Sequence, residues 1–147
     1  GCDKTIMARV FLGGTCNEST WRDQLIPKLK IDYFNPVCDD WTEEAYKQEL
    51  KERETCDFCL YVITPKMTGV YSIAEVVDDS NKRPDKTIFC FLLEDGDKSF
   101  DKSQLKSLEK VGQMVMNNDA IWMKSLDSIA KFLNTIHDFS TYKPIEG

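Results

Sequence analysis

Apolar residues along this chain follow two alternating rhythms. Short, mostly apolar stretches, Val10 to Leu12, Ile31 to Phe34, Phe58 to Ile63, Lys86 to Leu93 and Ala120 to Met123, are rich in β-branched and aromatic side chains and too short for buried helices. They read as strands, the central ones covered on both faces. Between them the spacing turns helical. Trp21, Leu25 and Leu29 fall at i, i+4, i+8 and predict a helix from about Thr20 to Lys30. Asp40 and Glu43 form a D-x-x-E capping pattern that opens a helix running to about Thr55. Ile73, Val76 and Val77 set a third from Ser72, Leu105, Leu108 and Val111 a fourth reaching about Met116, and Leu126, Ile129, Ala130, Leu133 and Ile136 a last one to about Asp138. Five strands alternating with five helices imply an α/β protein with one doubly wound, parallel, five-stranded sheet in flavodoxin-like order. The expected domain spans 7–140, with residues 1–6 a leader or cloning remnant ahead of a natural start at Met7.

The chain is organised around Cys56 to Lys82. Here a buried strand breaks at Pro65 and Gly69, and a helix follows, so the loop lies at the carboxyl end of the strand. In open parallel sheets ligands bind at that end. The first strand ends similarly, at Gly13-Gly14 followed by Thr15 and several helix-capping side chains. Backbone N–H groups of that loop could receive an anion or ribose hydroxyls. A plain tight turn explains the glycines equally well.

Composition removes several classes of function. A chain of 147 residues can bury a core without staples, and a formal net charge of -6 argues against a nucleic-acid polymer as partner. No stretch has the apolar length of a membrane span and no signal peptide is visible, so a cytoplasmic, soluble protein without a membrane partner is expected. The six cysteines are scattered, and the one close pair, Cys56 and Cys59, runs into a strand instead of opening a helix. That placement disfavours a thioredoxin-like role, and a lone histidine, His137, leaves few zinc ligands. No GxSxG elbow and no Walker lysine are present.

What remains is acidic. Glu75 sits just past the central loop, and on the preceding helix Glu49 falls among Ala45, Tyr46, Leu50 and Arg53. Paired carboxyls can divide glycosyl transfer, one attacking the anomeric carbon while the other protonates the leaving group. A first-turn position would keep Glu75 ionised. Each residue also has a bland reading: Ser72-x-x-Glu75 is itself a capping box, and Glu49 could be an exposed carboxylate on a weakly amphipathic helix.

The succession VFLGGT from Val10, FNP from Phe34, CDFCLYVITP from Cys56 and GVYSIAE from Gly69 resembles the nucleoside 2-deoxyribosyltransferase family, most closely its distant 2-deoxyribosyltransferase-like branch, over about Val10 to Leu92. The resemblance implies a flavodoxin-like fold and cleavage of the N-glycosidic bond of 2′-deoxynucleosides or 2′-deoxynucleotides, the sugar passing to another base or to water. It implies that Glu75 is the nucleophile, that Glu49 stands where the family has a catalytic aspartate, and that Asp57 matches an aspartate at the strand start that looks mainly structural. Gly13, Gly14 and Thr15 would contact the substrate, and Arg22 could meet a phosphate. Phe11 replaces a tyrosine near the nucleophile. Gly69 replaces the aspartate or serine that holds the 5′ end of the sugar, with Thr68 and Ser72 the candidates to substitute for it. Where the family reads Glu-Leu-Gly from the nucleophile, this chain reads Glu75-Val76-Val77. No cofactor is expected, and the family points to a homo-oligomer. A binding module of the same fold that has lost turnover is the alternative, and an FMN carrier a more distant one.

Overall fold

The computed structural model describes residues 7–16, 18–37 and 42–140. Its elements run β1 (Arg9–Gly14), α1 (Trp21–Leu25), β2 (Asp32–Phe34), α2 (Glu43–Thr55), β3 (Phe58–Ile63), α3 (Tyr71–Lys82), β4 (Thr87–Phe91), β5 (Glu94–Asp95), β6 (Lys98–Ser99), α4 (Lys102–Asn117), β7 (Ile121–Trp122) and α5 (Leu126–Ser140). Strands β2, β1, β3, β4 and β7 form one sheet in that order, every pair parallel, which is the doubly wound, flavodoxin-like arrangement. The order reverses between β1 and β3, where a crevice opens outside their carboxyl ends.

The period-2 geometry of the strands divides the core in two. Val10, Leu12, Leu60, Val62, Ile88 and Cys90 face Trp21 and Leu25 of α1 and Ile129 and Leu133 of α5. Phe11, Cys59, Tyr61, Ile63, Phe89 and Phe91 face the other way, against Val76 of α3 and Leu108 and Val115 of α4. Among the described residues no helix is long and apolar enough to cross a membrane.

Several boundaries depart from the sequence expectation for identifiable reasons. The first helix stops at Leu25 and tightens into a 3₁₀ turn over Ile26–Lys28, because Pro27 lacks the N–H that would continue it. In α2 the N-cap is Thr42, whose hydroxyl accepts from the Ala45 N–H, and Glu43 is already the first helical residue. The expected Asp40–Glu43 box is therefore not what caps this helix, Asp40 itself lying outside the described residues. The acidic stretch after β4 folds as a small antiparallel hairpin, β5 with β6. Before α4 stands a capping box, Asp101 with Gln104, whose D-x-x-Q signature is legible in the sequence but was not among the expected elements.

Candidate functional site

A cleft of about 220 Å³ opens at the carboxyl ends of β1 and β3, lined by Gly13, Gly14, Thr15 and Arg22 on one side, Met67 to Gly69, Tyr71, Ser72 and Glu75 on another, with Glu49 and Pro36 closing it. Its glycine wall is made by close approach. Gly14 has φ +118°, and a Cβ there would lie 2.1 Å from the Val62 carbonyl oxygen, so only glycine lets β1 end against β3 in this way. Past Gly14 the chain is pinned by Thr15, whose N–H donates to the Val62 carbonyl at 2.9 Å and whose hydroxyl accepts from the Thr64 N–H at 2.9 Å.

Arg22 is buried beneath this loop. It donates from Nε to the Leu12 carbonyl (3.0 Å), from Nη1 to that of Thr15 (2.7 Å) and from Nη2 to that of Gly14 (3.3 Å), while its guanidinium stacks on Trp21 at 4.4 Å. Burial pulls its pKa down to about 10, with the charges of Cys16 and Asp23 acting in the opposite direction. Its N–H groups thus shape the loop, with part of the side chain facing the cleft.

Two helices bring the acidic residues together. The buried face of α2 is charged, made of Glu49, Glu52 and Arg53, and its Tyr46 and Leu50 remain more than a third exposed. This corrects the picture of Glu49 among an apolar cluster: Glu49 is buried, 7% exposed, but because α2 turns Glu49 and Arg53 toward α3. Helix α3 starts at Tyr71 with Val70 as N-cap and no side-chain cap. Ser72 is its second residue, so the Ser72–Glu75 capping box does not form, and Glu75, one turn further in, is 6% exposed at the cleft. There the helix terminus does not keep it ionised. Burial first, then a hydrogen bond with Glu49 and the charge of that neighbour, push the Glu75 carboxyl up to about 8, with Arg53 pulling in the opposite direction. Glu75 is therefore largely protonated at neutral pH, with Glu49 beside it.

Beneath Glu75 lies a polar network centred on the buried Arg53 and Asp79. Arg53 donates from Nε and Nη2 to the Asp79 carboxylate (3.3 and 3.0 Å) and from Nη2 to Asp78 (3.3 Å), leaving Nη1 3.5 Å from Glu75 Oε2. Asp79 is fully buried and also accepts from the Tyr61 hydroxyl and from Arg83. Burial opposes the charge of Arg53, but its hydrogen bonds with Asp79 and the surrounding negative charges outweigh that and hold its pKa above the ordinary value. Burial raises the Tyr61 hydroxyl likewise, helped by the Asp79 charge.

Of the residues singled out in the sequence, Glu75, Glu49, Gly13, Gly14, Thr15, Arg22, Thr68, Gly69 and Ser72 share the cleft. Phe11 does not line it. It is fully buried under the floor, its ring 6.0 Å from Phe34 and 5.9 Å from Tyr61. Asp57, grouped with the substrate contacts by the resemblance though it looks mainly structural, does not line the cleft: it lies at the opposite end of β3, where its carboxylate accepts from the Arg9 N–H at 2.8 Å. Sequence reasoning missed Tyr71, at the rim and 54% exposed, and Arg53 with Asp79. The last two carry a readable signal: Glu49/Arg53 and Glu75/Asp79 are both i, i+4 pairs. Cys56 and Cys59 are free, buried thiols, donating to Glu52 (3.2 Å) and to the Arg53 carbonyl (3.1 Å), and burial pushes both up to about 12. Among the described residues no group of three or more His, Cys, Asp or Glu is disposed to hold a metal ion.

Comparison with known proteins gives one family. The model described as "Nucleoside 2-deoxyribosyltransferase like" matches residues 7–92. No curated protein and no solved structure matches the chain.

Proposed function

From the premise that the chain belongs to the nucleoside 2-deoxyribosyltransferase-like family, we propose that it acts on the N-glycosidic bond of a 2′-deoxynucleoside or its 5′-phosphate, with Glu75 as nucleophile and Glu49 as general acid. The observation that carries this reading is the pair of buried glutamates, Glu49 and Glu75, lining one cleft, with the Glu75 carboxyl raised beside its neighbour. Attack requires the proton that burial favours on Glu75 to pass to Glu49, which leaves Glu75 as the carboxylate. A Glu75 oxygen forms a bond to C1′ as the C1′–N bond breaks. The bonding electron pair stays with the base nitrogen, and Glu49 delivers its proton to the departing base. The sugar is then held as an ester of Glu75. A second base or a water attacks C1′, the C1′–O bond to Glu75 breaks, and the proton of the incoming group returns to Glu49.

The remaining walls suit a small ligand. Gly13, Gly14 and Thr15 present backbone to the sugar or base, with Arg22 engaging the carbonyls of Leu12, Gly14 and Thr15. Thr68, Gly69 and Ser72 lie where the 5′ end would meet the uncapped start of α3.

The test is base release or exchange from a panel of 2′-deoxynucleosides and their 5′-monophosphates, followed by chromatography with and without a free acceptor base. Turnover that disappears in a folded Glu75→Ala variant is the expected result, and turnover retained in that variant overturns the assignment. Phe11 supplies no hydroxyl to orient Glu75, which favours the second reading, a module that binds nucleotides without turning them over. Thermal stabilisation by one member of the panel without product would support that reading.

A further inference from the structure

Arg53 stands where neither composition nor strand pattern called for a cation, buried at 6% exposure between two helices. Its planar fork has five N–H donors in fixed relative positions. Nε and Nη2 are committed to the Asp79 carboxylate, Nη2 also to Asp78, and only Nη1 is left for the cleft. The acceptor it faces is Glu75 Oε2, a buried oxygen with no hydrogen-bond partner, 3.5 Å away. Catalytic hydrogen bonds are often long in the free protein and tighten on substrate binding. No ion pair joins Arg53 to Glu49 among the described residues, so the guanidinium distinguishes the two carboxyls.

The support beneath it is rigid. Asp79 is wholly buried and receives Arg53, the Tyr61 hydroxyl and Arg83 at once, leaving its carboxylate no freedom to swing. The spacing repeats on the two helices: α2 places Arg53 one turn after Glu49, and α3 places Asp79 one turn after Glu75. One level of this ladder is the carboxyl pair of the cleft, and the next is the ion pair that anchors it.

We propose that Arg53, held by Asp79, is the positioning residue of this site, fixing the orientation of Glu75 and drawing toward it, against burial and Glu49, the negative charge that attack at C1′ requires. The proposal rests on the reading of Glu75 as nucleophile. The groups facing this centre are Glu49 from α2, Glu75, Asp78 and Asp79 from α3, Tyr61 and the Cys59 thiol from β3, Tyr71 at the rim and Arg83 after α3. Four carboxyls meet two guanidinium groups, so removing one guanidinium is felt by the carboxyl it faces.

The experiment is a pH titration of the full chain labelled with ¹³C at glutamate carboxyls, followed by NMR, with the Glu75 signal assigned by its loss in Glu75→Gln. In Arg53→Gln the Glu75 midpoint is expected to rise by about one to three pH units, the range for loss of an adjacent opposite charge. Arg53→Lys, which keeps the charge but not the fork, should rise by less. Arg83→Gln, which also loses a bond to Asp79 but does not touch Glu75, should leave the midpoint in place. An unchanged midpoint in Arg53→Gln, or an equal rise in Arg83→Gln, overturns the proposal. If Arg53→Gln does not fold, Arg53→Lys decides by the same comparison: a midpoint above wild type supports the proposal and one equal to it overturns it. Because this readout needs no turnover, it is independent of the Glu75→Ala assay, whose failure would instead overturn the nucleophile assignment.

Discussion

The raised Glu75 carboxyl, buried beside Glu49, gives the site a defined pH response. The proposed reaction needs one carboxyl ionised and the other protonated, so the active form is the pair with a single proton, and the macroscopic titrations belong to the pair. With the Glu75 carboxyl pushed up to about 8, chiefly by burial, the last proton leaves near that pH. The general acid is then lost, and kcat/KM for base release should fall as pH rises through about 8. A pH–rate profile between pH 5 and 10 checks this, and a plateau extending past pH 9 would count against the single-proton scheme. Glu49→Gln should lower turnover by roughly 10²–10⁴-fold, the usual contribution of a positioned acid, and abolish that alkaline fall. Which carboxyls are involved was readable in part: the strand–loop–helix around Glu75 and the odd place of Glu49 are both in the sequence. That the charged side of α2 turns inward was not, because an i, i+4 pair such as Glu49/Arg53 looks the same on a solvated face until a second charged helix is packed against it.

At the scale of elements, the strand ends decide where the cleft can exist. Gly14 closes β1 against β3 with positive φ and no room for a Cβ, so Gly14→Ala should cost about 2–4 kcal/mol in urea unfolding and remove activity with it. Gly69 is the opposite case, with nothing within 4 Å of a built Cβ. Gly69→Ser should leave stability within about 0.5 kcal/mol of wild type. It should also lower KM for a 2′-deoxynucleoside 5′-monophosphate, since it restores a hydroxyl where the family places one. Steady-state kinetics with the nucleoside and its monophosphate in parallel would show the contrast, and equal effects on both would place the 5′ end elsewhere. Helix starts were the least legible elements. Local capping patterns compete, and a single proline or threonine settles them, as Pro27 and Thr42 do here.

For the whole molecule, the family match ends at residue 92, yet the fold does not. Strand β7 completes the sheet and α5 covers its far face, where Leu133 is fully buried beside Ile129. Leu133→Ala should therefore cost about 2–5 kcal/mol in denaturant unfolding while leaving kcat unchanged below the melting transition, because the cavity opens on the layer away from the α2–α3 face. The alternation of apolar runs and helical spacing by itself determined the layered α/β architecture, the parallel sheet and the end of it at which a ligand site would lie. Those features depend on periodicity, and right-handed crossovers leave few other ways to bury the same residues. Only the tertiary structure decided that Asp57 and Phe11 stand outside the cleft, that Arg22 is spent on the loop's own carbonyls, and that Arg53 and Asp79 underlie the two glutamates. Burial of charge depends on which helix faces which across the sheet, and that relation is set by packing between segments far apart in the chain.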